Sequence, residues 1–259
     1  MQILRILSFG LVLAAFLTGS PAIQAQVISI NFGADQASLE ASDVTGVIPV
    51  ANWNNASGAT GTLTNLVDDS GAATAASVTW SASNTWQAAS PYPTNPTQVL
   101  LYGYLDGGSN GVPAQVSVQN IPFNLYDVYI YVNRDNDDST STYTVNGQTV
   151  TITPGIDQTT LTPAGVATPA SPDPTTAGTW VEFTDLSGPL SILTSNGNLY
   201  QGSGDWRSPI DGIQIVDAAV PEPSTYAFMG LGLLLILALR SKVRISRIVR
   251  GRRVFGIRG

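Results

Sequence analysis

The sequence predicts an all-β domain, a two-sheet antiparallel β-sandwich of the jelly-roll type, between an N-terminal signal peptide and a single C-terminal transmembrane helix. Three observations lead to this prediction. Short runs of β-branched and aromatic residues recur through residues 26–220, separated by Gly, Pro, Asn and Asp. No convincing amphipathic helical pattern interrupts these runs. The long apolar segments, residues 6–17 and 226–239, lie near the two ends of the chain.

Residues 1–25 are expected to form a secretory signal peptide. A single positive residue, Arg5, precedes an apolar run from Ile6 to Leu17, and small Ala25 is the expected residue before the cut. The run of twelve apolar residues is short for a bilayer span, so a cleaved leader is favoured over an uncleaved anchor. We therefore expect signal peptidase to remove residues 1–25 and residues 26–220, the body, to fold outside the cytoplasm.

Eleven strands are predicted in the body, too many for anything but packed sheets. In Thr142–Ile152, the pair Asn146-Gly147 supplies the positive φ angles of a type I′ hairpin turn. Tyr126–Val132 is apolar at nearly every position, which predicts a central strand covered on both faces. Pro154–Pro174 predicts a long surface loop, because proline is excluded from central strands. The predicted strands are Val27–Phe32, Thr62–Val67, Ser77–Trp80, Gln98–Leu105, Gln115–Ile121, Asp127–Asn133, Thr142–Asn146, Gln148–Thr153, Thr179–Thr184, Leu190–Thr194 and Ile210–Val216.

Composition excludes several kinds of chemistry. The chain has no His and no Cys, so it has no imidazole base, thiolate nucleophile, disulfide or Cys/His zinc site. The body carries 17 acidic residues and only two basic ones, Arg134 and Arg207, so its net charge is 2 − 17 = −15. That charge disfavours nucleic acid as a partner. The missing His and Cys favour a binding or structural role over catalysis, with no catalytic residue and no required cofactor.

The C-terminal segment combines three features in a fixed order. Pro221-Glu222-Pro223 cannot form a regular helix or strand and is expected to be extended and exposed. An apolar run, Tyr226–Leu239, follows, and a block of basic residues begins at Arg240. We expect residues 226–239 to form a transmembrane helix and residues 240–259 to remain as a basic tail in the cytoplasm, since positive residues stay on that side.

This order of features resembles the PEP-CTERM protein-sorting signal of bacterial envelope proteins. Pro221, Glu222, Pro223 and Arg240 would be its motif residues. The resemblance implies an exosortase, a membrane-embedded transpeptidase-like enzyme, that cuts near the prolines and discards the helix. The protein would first be anchored in the inner membrane and then reach the cell surface or extracellular matrix. An uncleaved tail anchor is the alternative.

Residues 221–259 carry that resemblance, which says little about the body. The body itself loosely resembles the jelly-roll domains, similar to carbohydrate-binding modules, that often precede this signal. Four aromatic residues in Gly-, Asn- and Pro-rich contexts are candidates to stack on sugar rings, beside Asn54, Asn55, Asp205 and Arg207. They are Trp53, Trp86, Tyr92 and Trp206. Packing in the core is the alternative for each, and Trp80 and Trp180, within strands, are expected in the core.

The loop Asp135–Thr140 is a candidate calcium site. Asp135, Asp137 and Asp138 place three carboxylates close together, and hard oxygen ligands suit calcium. The alternative is an ordinary solvated acidic turn, since Asp and Asn are common turn residues. Calcium is thus the one cofactor that the sequence suggests.

The expected function is that of an exported envelope or matrix protein whose non-catalytic β-sandwich serves adhesion or binds extracellular polysaccharide. Two alternatives stay open. A glycoside hydrolase or polysaccharide lyase would use carboxylates, and Glu40 and Glu182 are the only glutamates of the body. A purely structural matrix protein would bind no small ligand.

Overall fold

The computed structural model describes residues 25–88, 92–108, 112–135, 140–167, 177–194 and 207–218. Apart from Ala25, these residues belong to one compact unit, Gln26–Ala219. No helix within these ranges is long and apolar enough to cross a membrane. The predicted leader up to residue 24, the sorting motif, the predicted span and the basic tail lie outside the described residues.

Strands dominate the regular structure of the described residues, and α1 is a single short helix, which confirms the all-β prediction. Most strands are about five residues long, as is usual for globular proteins. The elements in chain order are β1 Val27–Asn31, β2 Asn54–Asn55, β3 Thr60–Thr64, β4 Ser77–Ser81, β5 Asn84–Gln87, α1 Pro96–Leu100, β6 Gly103–Gly107, β7 Gln115–Gln119, β8 Tyr126–Tyr131, β9 Asn133–Arg134, β10 Ser141–Val145, β11 Gln148–Ile156, β12 Pro163–Ala167, β13 Ala177–Gly178, β14 Trp180–Leu186, β15 Leu190–Thr194, β16 Ser208–Ile210 and β17 Gly212–Asp217.

The strands form two large sheets and one small one. The first sheet has the order β12-β14-β8-β17-β1-β2, and the second has the order β13-β11-β10-β15-β7-β4-β3, with β9 also paired to β11. The small sheet has the order β16-β6-β5. Parallel pairing is confined to the short strands β2, β9 and β13 and to β12, so the main body of both large sheets is antiparallel.

Eight of the strands follow a jelly-roll order. In the first sheet β1, β17, β8 and β14 are neighbours, and in the second sheet β7, β15, β10 and β11 are neighbours. Along the chain these eight strands pass repeatedly from one sheet to the other, which is the double Greek-key path of a jelly roll. Strands β3 and β4 extend the second sheet beyond β7.

The core lies between the two large sheets because apolar side chains alternate along the strands. Ile30 and Ile213 of the first sheet belong to the same buried cluster as Val116 and Ile192 of the second. Trp80 also lies in this core, 4% exposed, as the sequence predicts. The two sheets therefore pack face to face as a sandwich.

A second apolar cluster covers the outer face of the first sheet. Leu39, Trp53, Leu100 and Leu101 pack there against Tyr131 of β8. The loop between β1 and β2 and helix α1 supply these residues. Strand β8 is therefore covered on both faces, which confirms the prediction for Tyr126–Val132. Partly buried Trp180 packs beside this cluster, with its ring 5.7 Å from that of Tyr129.

The predicted strand Gln98–Leu105 is wrong in its first half, where the chain forms helix α1. The Asn95 side chain accepts a hydrogen bond from the Gln98 backbone N–H at 3.0 Å, and Pro96 occupies the first turn. Both are strong helix-start signals, and they outweigh the apolar run that followed them.

The predicted loop Pro154–Pro174 is also wrong in part. Pro154 lies within β11, and Pro163 begins β12, the outermost strand of the first sheet. Proline is tolerated at the first residue of a strand and on edge strands, where its missing N–H would not be needed. The hairpin prediction is confirmed: Asn146 and Gly147 have φ angles of 47° and 87°, and they join β10 to β11.

The body has two distinct ends. The chain enters at Gln26 and leaves after Asp217, and these residues are hydrogen bonded because β1 and β17 are antiparallel neighbours. We call this the terminal end. At the opposite or distal end, Asn31 faces Gly212, and β17 is joined to β16 through Asp211 alone. A strand of six residues separates the ends by roughly 20 Å.

Candidate functional site

Four side chains from separate parts of the chain meet at the distal end. Trp86 of β5 lies opposite Tyr104 of β6 in the small sheet. Asp135 directly follows β9, and Arg207 directly precedes β16. The sheet order brings them together. Strand β16 of the small sheet leads directly into β17, and β17 lies beside β8, which β9 follows. We call Trp86, Tyr104, Asp135 and Arg207 the distal cluster.

Asp135 is the centre of the hydrogen bonds in the distal cluster. Its Oδ1 accepts from Arg207 Nη1 and from Tyr104 Oη, each at 2.8 Å, and its Oδ2 accepts from Trp86 Nε1 at 3.1 Å. The guanidinium carbon of Arg207 also lies 5.3 Å from the Trp86 ring centroid, within range of a cation–π contact. Trp86 is therefore held by two polar partners rather than by a surrounding core.

Both basic residues of the body are found here. Arg134 is fully buried and its Nη1 donates to the Arg207 backbone carbonyl at 3.0 Å. The Arg207 and Asp135 side chains are only 13% and 14% exposed, so this ion pair is largely shielded from water. Burial raises the pKa of Tyr104 above its ordinary value, which already keeps the hydroxyl protonated at physiological pH. At that pH the phenol acts as a hydrogen-bond donor to Asp135.

Two aromatic residues of this region are exposed. Trp86 is 44% exposed and Tyr92 is 73% exposed. Tyr92 packs edge-on against Tyr102, with ring centroids 5.6 Å apart. Tyr102 directly precedes β6, and Tyr104, the cross-strand partner of Trp86, lies two residues further along the chain. Trp86 and Tyr92 are therefore two exposed aromatic side chains beside the start of β6.

The structure separates the four predicted aromatic contacts. Trp86 and Tyr92 are accessible, although Trp86 lies in a strand and not in the predicted loop context. Trp53 is only 5% exposed and packs 5.9 Å from Tyr131, so the sugar-contact prediction is wrong for it. Trp206 lies outside the described residues.

The predicted polar neighbours also divide. Arg207 lies beside Trp86, as expected. Asn54 and Asn55 instead bond to the protein's own backbone. Asn54 Nδ2 donates to the carbonyls of Ser29 in β1 and of Val67, and Asn55 Nδ2 donates to the Leu39 carbonyl. The sequence reasoning missed Tyr104, and its position opposite Trp86 across a strand pair has no signal in local sequence.

The structure describes one of the three candidate calcium residues. Asp135 already accepts three hydrogen bonds, one of them from a cation, and Asp137 and Asp138 lie outside the described residues. Elsewhere in the described ranges, no three carboxylates come together in a group that could hold a metal ion.

Glu40 and Glu182 lie in different places. Leu39, the residue before Glu40, is hydrogen bonded to Asn55 of β2, whereas Glu182 belongs to β14. Three strands separate β2 from β14, a spacing of roughly 19 Å, while paired glycosidase carboxylates lie about 5–9.5 Å apart. Burial raises the pKa of Glu182, and Tyr129 Oη donates to its Oε1 at 2.8 Å. The two glutamates therefore do not form such a pair.

Comparison with known families places the C-terminal segment. Residues 219–244 match the PEP-CTERM protein-sorting motif, which confirms the resemblance carried by Pro221, Glu222, Pro223 and Arg240. The chain thus carries the sorting motif of exported proteins that an exosortase processes. No curated protein and no solved structure matches the chain.

Proposed function

We propose that this protein is displayed outside the cell after two cleavages. Signal peptidase removes residues 1–25, and residues 226–239 hold the body at the inner membrane with residues 240–259 in the cytoplasm. An exosortase then cuts near Pro221–Pro223, and the body passes to the cell surface or extracellular matrix. The match to the sorting motif at residues 219–244 supports this route.

Intact-mass measurement on protein from the native host tests the processing. We expect a mature chain that begins at Gln26 and ends near Ser224. A double variant, Pro221→Ala with Pro223→Ala, should keep the C-terminal segment and stay in the membrane fraction. A mature unaltered chain that still ends at Gly259 would contradict the proposal.

We further propose that the body is a non-catalytic module that adheres to extracellular polysaccharide through the distal end. The observation that carries this is exposed Trp86, which contacts both members of the ion pair of Asp135 and Arg207, with Tyr92 as a second exposed aromatic side chain. The flat C–H face of a sugar ring packs against an aromatic face, and its hydroxyls bind charged and phenolic groups. An aromatic already fixed by hydrogen bonds loses little conformational freedom on binding.

The position of Trp86 also suits adhesion. The body continues to the sorting motif from the terminal end, and the distal cluster lies at the other end of the strands. A ligand at the distal end therefore does not compete with the covalent connection of the body.

A glycan array probed with the full chain in detergent tests the binding. We expect binding by the unaltered chain and a loss of at least tenfold in affinity for Trp86→Ala, with a smaller loss for Tyr92→Ala. Val44→Ala is the matched control, since Val44 is 57% exposed and outside the cluster. Binding that survives in the double variant Trp86→Ala with Tyr92→Ala would refute the site.

The same array discriminates the two other candidate functions. Release of shortened glycan, abolished by Glu182→Gln or Glu40→Gln, would indicate a hydrolase or lyase. Absence of any bound glycan, with and without calcium, would indicate a purely structural matrix protein.

A further inference from the structure

The outer face of the second sheet carries no charge. The six strands β3, β4, β7, β10, β11 and β15 contain no Asp, Glu, Lys or Arg. Their outward positions are Ser, Thr or Gln, with Leu193 the apolar exception, while their inward positions fill the core. In a body of net charge −15, this is a wide neutral surface.

Within the part of the chain that the structure describes, the neutral surface ends at an edge to which no further strand is paired. Strand β3, Thr60–Thr64, is the last strand of the second sheet. Its sequence, Thr-Gly-Thr-Leu-Thr, has no charge and no proline, and it pairs with β4 without a bulge. Natural sheet edges usually carry a charged residue, a proline or a bulge, because the free backbone groups of an edge strand otherwise pair readily with another strand.

The backbone of β3 presents a regular set of free groups. The Ala82 N–H donates to the Ala59 carbonyl, so residues 59 and 82 form a hydrogen-bonded pair. Because such pairs alternate in antiparallel sheets, Thr60, Thr62 and Thr64 direct their N–H and C=O groups away from β4. The 3.2 Å contact between the Thr62 and Thr79 hydroxyls agrees, since side chains are closer in the pairs without backbone bonds. No described residue bonds to the outward groups of these three threonines.

Charge decides which partner fits this edge. Two copies of such an acidic body repel each other in most relative orientations. The electrostatic repulsion is weakest where a strand with uncharged neighbours faces the other copy. The edge is also self-complementary. Thr60 and Thr64 lie at equal distances on either side of Thr62, so the free backbone groups of these three residues face those of a second copy after a two-fold rotation.

We infer that β3 pairs antiparallel with β3 of a second copy of this chain, with Thr62 opposite Thr62 of the other copy. Thr60 then lies opposite the other copy's Thr64, and the three pairs form about six backbone hydrogen bonds. The two second sheets become one continuous sheet with a shared neutral face. Salt strengthens this association, since it screens the repulsion between the acidic bodies.

Cysteine cross-linking tests the pairing, because the chain has no cysteine of its own. Opposite residues of a hydrogen-bonded pair have Cα atoms about 5.5 Å apart, within the range of a disulfide. Full-length Thr62→Cys in detergent should form a covalent dimer under mild oxidation. Thr79→Cys, one strand inward on the same exposed face, is the control and should stay monomeric.

A mixture checks the register. Chains with Thr60→Cys and chains with Thr64→Cys should form a disulfide with each other and little with themselves. Equal cross-linking at Thr62 and Thr79 would overturn the inference, as would cross-linking of each of the two end variants with itself.

Sedimentation without cross-linking provides an independent measurement. The unaltered chain should show twice the monomer mass, more completely at high salt, and Thr62→Lys should halve that mass. Thr79→Lys adds the same charge one strand away and should keep the dimer. A monomeric unaltered chain at every salt concentration, or a dimer that survives Thr62→Lys, would refute the pairing.

Discussion

Replacing Trp53 and Trp86 in turn separates a structural tryptophan from a binding one. Trp53 is 5% exposed in the cluster over the first sheet, and its Nε1 donates to the Val50 carbonyl at 3.2 Å. Trp86 is 44% exposed at the distal end. The sequence alone made both tryptophans candidates for contact with a sugar.

The magnitudes follow from the buried area. An aromatic side chain removes about 150–250 Å² from water, worth roughly 4–6 kcal/mol at about 25 cal/mol per Å². Trp53→Ala should therefore cost about 3–5 kcal/mol of the free energy of unfolding. For a body of this size that lowers the melting temperature by roughly 6–20 °C. Trp86→Ala loses about half as much buried area and leaves Asp135 Oδ2 open to water, so its cost is about 2 kcal/mol, half of that for Trp53→Ala.

Thermal unfolding followed by near-ultraviolet circular dichroism, with the glycan array on the same preparations, measures both effects. Trp53→Ala should melt early yet bind glycan normally below its transition. Trp86→Ala should melt less early than Trp53→Ala, roughly 4–8 °C below the unaltered chain, and bind poorly. Trp53→Phe, which keeps an aromatic ring, is the control for packing. A Trp53→Ala variant that melts within about 2 °C of the unaltered chain would refute the placement of Trp53 in the core.

Four further predictions concern other parts of the body. Asp135→Asn deprives Arg207 of its anionic partner in a largely shielded pair, so urea unfolding should show a loss of about 1–2 kcal/mol; an unchanged midpoint would mean that the pair is solvated. Burial raises the pKa of Glu182 above its ordinary 4.5, so the folded state favours the protonated carboxyl and stability falls as pH rises from 4.5 through the raised pKa. Glu182→Gln should remove that loss, and a difference in unfolding free energy that stays constant from pH 4 to pH 7, checked by urea titration at each pH, would speak against it. Gly147→Ala meets no atom within 4 Å but retains a φ of 87°, so it should cost about 1–2 kcal/mol by thermal unfolding, and a neutral result would exclude strain at the turn. If calcium binds the acidic loop, adding the ion should raise the unfolding temperature of the chain, Asp137→Ala should abolish the rise, and no rise at all would leave the loop an acidic turn.

Local patterns determined much of the sandwich in advance. Leu190–Thr194 was predicted with the bounds that β15 has, because Leu190 and Ile192 alternate with Ser191 and leave only one face to bury, although Leu193 faces outward. The Asn146-Gly147 turn was equally local, since only residues that tolerate positive φ fit there. Helix α1 was missed because its Asn-Pro start is short and the apolar residues after it fit a strand as well.

The candidate site was predictable only in its components. The sequence alone indicated Trp86 and Tyr92 as aromatic candidates, Asp135 as an acidic candidate and Arg207 as a rare basic residue. Nothing in the sequence indicated that Tyr104 would join them, since residues 86, 104, 135 and 207 meet only through strand pairing. Cross-strand contacts depend on sheet order, which local periodicity does not report.

By itself, the sequence determined the strand-rich body, its acidity, the missing His and Cys chemistry and the C-terminal sorting motif, because each depends on composition or on neighbours along the chain. The tertiary structure decided which tryptophan is buried and which is exposed, which arginine meets which carboxylate, and that neutral β3 lies at an edge. These depend on the order in which strands join the sheets. Since two residues a hundred positions apart become neighbours only when that order is set, no local pattern could have assigned them.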